Sequence, residues 1–266
     1  MSEKVRVGLA LGSGASRGFA HIGVLEVLTE AGIPIDMVSG SSMGSIIGGL
    51  YCAGMKMSYM HRIAQQITKT QEYRFIDMTF PGLGLFRGQR IEKLIRTLCG
   101  NRRIEELNIP FVASACCIED AQIVYFDRGD MTQAIRASIS IPGVFEPVEI
   151  DGKTYVDAGV FERVPMSVLR KMGADYVIGV DVGYRGGANP KPKGLMQLML
   201  TVYDMVEWEA TQKRLECGDR MITVNTRAID PSNFTKGAEC IELGRRAAQD
   251  ALDDIRRELT GLGVAL

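Results

Sequence analysis

The sequence predicts an α/β sandwich with a mostly parallel sheet, and three observations carry that prediction. Short apolar runs ending in glycine, such as "VRVGLAL" at 5–11, suit strands buried on both faces. Segments with apolar residues three or four apart lie between those runs, the spacing of amphipathic helices. The first two strands are joined by a glycine loop and a helix, and the handedness of such crossovers makes them parallel neighbours.

Taken in order, "VRVGLAL" is the first strand and "GSGASRG" (12–18) the glycine loop. "FAHIGVLEVLTEAG" (19–32) is a helix, with Phe19, Ile22, Leu25 and Leu28 three apart and Gly32 as its stop. "DMVSGS" (36–41) is the second strand and "MGSIIGGLYCAG" (43–54) a helix of small residues. Residues 75–90, rich in Gly, Phe and Pro, read as a loop. "PFVASACCIEDAQIVYF" (110–126) reads as two strands around a Glu-Asp turn, and "MTQAIRASISIPGVFEP" as a helix broken by Pro142. "KTYVDAGVFERVP" (153–165) is a strand entering a tight turn. "PMSVLRKMGADYVIGVDVG" is a helix, a glycine stop and a buried strand. "PKPKG" (190–194) is a turn or short linker. The helices "LMQLMLTVYDMVEWEATQKRL" and "AECIELGRRAAQDALDDIRREL" bracket a last strand, "MITVNT".

The 266 residues read as one domain, 1–266. A formal net charge of -1 leaves no electrostatic footprint for nucleic acid. The N-terminus resembles no secretory signal, and no run reaches the roughly 20 apolar residues of a membrane span. The expectation is a soluble cytoplasmic protein. Six cysteines at 52, 99, 116, 117, 217 and 240 show no C-x-x-C pair, so free thiols are expected.

Gly40-Ser41-Ser42-Met43-Gly44 has the spacing G-x-S-x-G at a strand-to-helix turn. Such a turn projects a serine hydroxyl out of the sheet as a nucleophile, while the helix behind it favours negative charge. A helix-capping serine is the other reading of the same residues. The loop Gly12 to Gly18 offers backbone donors for an oxyanion on the neighbouring strand. Its spacing is G-x-G-x-x-x-G, and no Lys-Ser/Thr ending follows, so a phosphate cradle fits it poorly.

A serine nucleophile needs a base. The chain has two histidines, His21 and His61, and none after residue 61, which excludes the order Ser, acid, His. His21 reads as a packing residue and His61 as an exposed or half-buried helix position. A carboxylate is left. Asp157, at a strand end before Ala158-Gly159, is the first choice, and Asp181 in "VIGVDVG" is the second.

"LALGSGASRGFAHIGVL", "GSSMGS", "RASISIPGVFEPV" and "YVDAGV" together resemble the bacterial patatin-like phospholipases, relatives of plant patatins and of the cytosolic phospholipase A2 catalytic domain. The likeness runs from about residue 5 to 182, and more weakly to "CIELGRRAA". It implies a patatin-like three-layer sandwich and a Ser–Asp dyad, Ser42 and Asp157, that cleaves lipid acyl esters without metal or cofactor. It also implies an oxyanion hole from the amides of Gly14 and Ala15, with Met43 a further donor. The motif glycines are Gly12, Gly18, Gly40, Gly44 and Gly159. The chain departs from the pattern with Ser13 and Ala15 where glycine is common, and with Glu162-Arg163 after the Asp motif. The implied partner is a lipid or lysophospholipid substrate, met in transient contact at the inner face of a membrane. An acyltransferase with the same dyad, or a non-catalytic module on the same fold, are the alternatives. The Met-rich stretch 195–208 reads as core packing or as a lipid-facing wall.

Overall fold

The computed structural model describes residues 4–69, 77, 82–183, 191–212 and 217–266. The chain opens with β1 (Val7–Leu11), a short 3-10 turn over Ala15–Phe19, α1 (Ala20–Glu30), β2 (Met37–Ser41) and α2 (Met43–Cys52). α3 (Met57–Lys69), β3 (Gly84–Phe86), α4 (Gln89–Cys99), β4 (Phe111–Cys117) and β5 (Gln122–Phe126) follow. Next come α5 (Met131–Ser138), β6 (Gly143–Phe145), β7 (Val148–Ile150), β8 (Lys153–Asp157) and α6 (Met166–Lys171). β9 (Tyr176–Asp181), α7 (Leu195–Gln212), β10 (Arg220–Thr223) and α8 (Gly237–Gly261) complete the fold.

The neighbours β10, β9, β1, β2 and β4 are all parallel. β1 and β2 sit side by side with Leu11 opposite Gly40, as the crossover rule requires. Antiparallel pairing begins at β4, where β5 and β8 run against it and β7 runs against β8.

Alternation along the strands divides the core. Val7, Leu9, Leu11, Val38, Ile178 and Val180 join the large cluster under α1, α2 and α8. Ala10, Met37 and Val177 pack with Val164, Met166 and Leu169 around α6 on the other face. Helices on both faces of a central sheet make the expected three layers. Six free cysteines are present, five buried, with Cys217 half-buried. Among the described residues no helix is long and apolar enough to cross a membrane.

Two expectations change in detail. Residues 84–86, read as loop, form a short strand paired in parallel with residues 143–145, while 75, 76 and 78–81 lie outside the described residues. The first helix starts at Ala20, one residue later than its pattern, because the chain first makes the 3-10 turn. Residues 213–215 of the Met-rich helix and Pro190 also lie outside the described residues.

One feature of the topology builds the site. β5 covers residues 113–117 on one edge of β4. The other edge is shared: β2 pairs with residues 111–114 and β8 with residues 115–117. β2 runs with β4 and β8 runs against it. Their C-terminal ends therefore meet head-on, Ser41 opposite Ser114 and Asp157 opposite the adjoining Ala115.

Candidate active site

Ser42 sits in the one-residue step between β2 and α2 with φ 52 and ψ -125. A non-glycine residue rarely adopts such a backbone, which stores strain on the order of 1–3 kcal/mol. The Ser138 hydroxyl accepts the Ser42 amide at 2.9 Å, and the Ser45 amide donates to the Ser42 carbonyl at 2.9 Å. The Ser42 side chain makes no capping hydrogen bond to α2, so the helix-cap reading does not describe it. Close packing explains the flanking glycines: a β-carbon at Gly44 would collide with the Leu11 carbonyl, and one at Gly40 with the Gly44 carbonyl.

Asp157 arrives from the facing strand end and is fully buried. Its Oδ1 accepts the Gly159 amide at 2.9 Å, while Oδ2 is buried with no hydrogen-bond partner among the described residues. Burial pushes the carboxyl up to about 6, opposed by the Ser42 hydroxyl, the Gly159 amide and Tyr203. Ser42 thus approaches the carboxyl without completing a hydrogen bond to Oδ2. Asp181, the second choice, is already engaged. It pairs with the fully buried Arg163 at 2.6 Å and accepts the Gly183 amide at 3.0 Å. The Glu162-Arg163 departure is therefore structural. Arg163 ties the turn after Asp157 to the end of β9, and Glu162 binds Tyr125 and Ser167.

In the glycine loop, the Gly12 amide donates to Val180 and the Ser13 amide to Arg163. Among the described residues no acceptor takes the amides of Gly14, Ala15 or Met43. Ala15 has φ 49, so its departure from glycine carries a left-handed backbone. His21 holds the loop from below, with Nε2 at 2.7 Å from the Gly12 carbonyl. Because that carbonyl accepts, Nε2 carries the proton. Burial lowers the imidazole to about 4, and Nδ1 is buried without a partner. His61, half-buried on α3, faces Glu26 at 3.2 Å.

Ser42, Ala15 and Met43 open onto a cavity of about 450 Å³. Its wall is apolar, with Ile46 and Leu50 of α2, Leu94 and Leu98 of α4, and Met196 and Leu200 of α7. Among the described residues of that wall, Ser232 is the other polar one besides Ser42.

A model of the patatin-like phospholipase family matches residues 9–170. The chain belongs to that family. An uncharacterised NTE family protein of Mycobacterium tuberculosis is 40% identical over 181 residues, 68% of this chain and 50% of its own length. The neuropathy target esterase sws of Drosophila melanogaster is 34% identical over 66% of this chain and 13% of its own. Lysophospholipase nte1 of Emericella nidulans is 32% identical over 71% and 12%. The chain thus spans about half the length of the mycobacterial relative and a small part of the others. The crystal structure of VipD from Legionella pneumophila matches with a TM-score of 0.66 at 14% identity, over 95% of this chain and 67% of that one. At that identity the likeness is one of fold.

This patatin-like site also holds groups that motif reading passed over. Ser138 anchors the Ser42 backbone. Tyr203 donates to the Asp157 carbonyl at 3.4 Å. Glu207, fully buried, lies against Gly159, where a β-carbon would collide with its Oε1. The available signal was "YDMVE", two acids three apart in a helix rich in Leu, Met and Val.

Proposed function

We propose that the chain is a serine acyl hydrolase that releases a fatty acid from a monoacyl lipid, with Ser42 as nucleophile and Asp157 as base. The observation that carries this reading is the head-on meeting of β2 and β8. It sets a strained serine that caps no helix beside a buried carboxylate whose Oδ2 lacks a partner among the described residues, on the wall of an apolar cavity.

The chemistry follows from those positions. Ser42 Oγ attacks the ester carbonyl as its proton passes to Asp157. The oxyanion develops in front of the amides of Gly14, Ala15 and Met43, which no acceptor among the described residues occupies, beside the positive end of α2. Asp157 then returns the proton to the departing alcohol. Water repeats the sequence on the acyl-enzyme and frees the acid. The apolar cavity suits one hydrocarbon chain, which favours lysophospholipid-like substrates. Relatives named lysophospholipase support the same class.

Contact with a lipid surface belongs to this reading, and α7 supports it. Asp204, Glu207 and Thr211 turn inward, while Leu195, Leu198, Val202, Met205 and Val206 are each about half exposed. Such an inverted helix leaves its apolar face to be covered, and exposed Lys191 and Lys193 precede it with the charge that suits anionic headgroups. The test of the function is turnover of p-nitrophenyl esters of graded chain length, then of a lysophospholipid panel. Activity rising with chain length is expected. No hydrolysis across both panels would refute the reading, and acyl transfer to an added alcohol in place of hydrolysis would reassign it as a transferase.

A further inference from the structure

Four carboxyl groups and two guanidinium groups are buried together behind Ser42. Arg17 pairs with Asp204 at 2.7 Å and Arg163 with Asp181 at 2.6 Å. Asp157 and Glu207 remain, and among the described residues neither has an ion-pair partner. Two unpaired buried charges side by side would cost several kcal/mol each in lost hydration and would repel one another. A proton kept in the pair removes that cost.

We propose that Glu207 stands protonated behind the Asp157 turn and acts as a positioning residue, a neutral acid that leaves Asp157 with the site's unpaired negative charge. The inference rests on the hydrolase reading. Glu207 is fully buried, its Oε1 has no hydrogen-bond partner among the described residues, and it packs on Gly159, whose amide holds Asp157 Oδ1. The surrounding groups are Asp157 from β8, Tyr203 and Asp204 from α7, Arg163 from the following turn and Ser13 from the glycine loop. Burial raises the Glu207 carboxyl well above its ordinary range, and the Asp157 and Asp204 charges raise it further. Arg163 and Ser13 oppose that rise.

The attack step then keeps one negative charge in the site. The Ser42 O–H bond breaks and its proton moves to Asp157. The Oγ–carbon bond forms, and the carbonyl π pair becomes the oxyanion. The Glu207 proton does not move. An ionised Glu207 would place a second charge behind the developing oxyanion and slow the step.

The test compares the pH dependence of kcat/KM for wild type and Glu207→Gln on a soluble short-chain ester. A neutral Glu207 predicts that Gln stays within about threefold of wild type and leaves the acid limb in place. It also predicts that Glu207→Ala loses about tenfold in kcat with KM unchanged, because the turn loses its backing. An acid limb that moves down by about one unit in Glu207→Gln overturns the proposal, because Glu207 would then be a charge that raises Asp157. A hundredfold loss in folded Glu207→Gln also overturns it. Glu207→Met is the second variant, since an apolar replacement for a neutral acid is well tolerated; failure of both to fold overturns the proposal. If wild type cleaves no ester, the hydrolase reading falls separately. Infrared spectra then decide about Glu207: a protonated-carboxyl band at about pH 8, absent in Glu207→Gln, supports it, and no such band overturns it.

Discussion

Burial shifts Asp157 and His21 in opposite directions, and this changes how a pH profile is read. A loss of activity near pH 6 usually suggests histidine. Here burial brings the Asp157 carboxyl to about 6 and drops His21 to about 4. The acid limb of kcat/KM is therefore expected near 6 with Asp157 as its source, and it should persist in folded His61→Gln. A limb that vanishes in that variant would assign it to His61. Stability gives a second check. The folded Asp157 carboxyl holds its proton more tightly than the unfolded chain does. Its favourable contribution is thus complete below the unfolded value and is lost as pH rises through about 6. Asp157→Asn removes that loss. It should melt above wild type at about pH 8, by roughly 3 kcal/mol at most, with the advantage shrinking towards pH 4. An equal or lower melting point at pH 8 would contradict the buried, unpaired carboxylate. Asp181→Asn should instead destabilise at pH 8 by about 3 kcal/mol or more, because Arg163 would be left buried without its partner.

At the scale of elements, the strand ends and the inverted α7 make separate predictions. Leu50 and Leu98 line the cavity well along α2 and α4 from Ser42, with Leu50 about 12 Å down the helix axis. Filling that end with Leu50→Trp should lower turnover of long-chain esters about tenfold or more relative to short ones. An unchanged chain-length profile would mean that the acyl chain lies elsewhere. On the outer face of α7, Val202→Asp with Met205→Asp should weaken sedimentation with anionic vesicles by about tenfold or more. Turnover of a soluble short ester should stay unchanged, and undiminished vesicle binding would place the contact on another surface. Most elements were legible because strand runs and glycine stops are local signals. β3 was not: a three-residue strand exists through its pairing with β6, which no local pattern encodes. The direction of α7's faces was hidden for a related reason, since the inward Asp204 pairs with Arg17, a residue distant in sequence.

Across the whole molecule, Ser42 and Asp157 lie 115 residues apart in sequence and are brought together by one edge of β4. Motif reading and strand-end position pointed to both residues, and the amides of Gly14, Ala15 and Met43 have no acceptor among the described residues. The supporting shell was not legible: Ser138, Tyr203 and Glu207 belong to no local motif and meet only through the packing of α5 and α7 around the two strand ends. The family match covers the segment that holds both Ser42 and Asp157, and α7 lies beyond it. In the proposed mechanism Ser42 is a nucleophile activated by Asp157 and not by a histidine. Fluorophosphonate labelling, with the modified residue located by peptide mass spectrometry, tests it most directly. Modification is expected at Ser42 in wild type and in folded His21→Gln and His61→Gln, with labelling about a thousandfold slower in Asp157→Asn. Full-rate labelling of Asp157→Asn, or its loss in a folded histidine variant, would contradict the account.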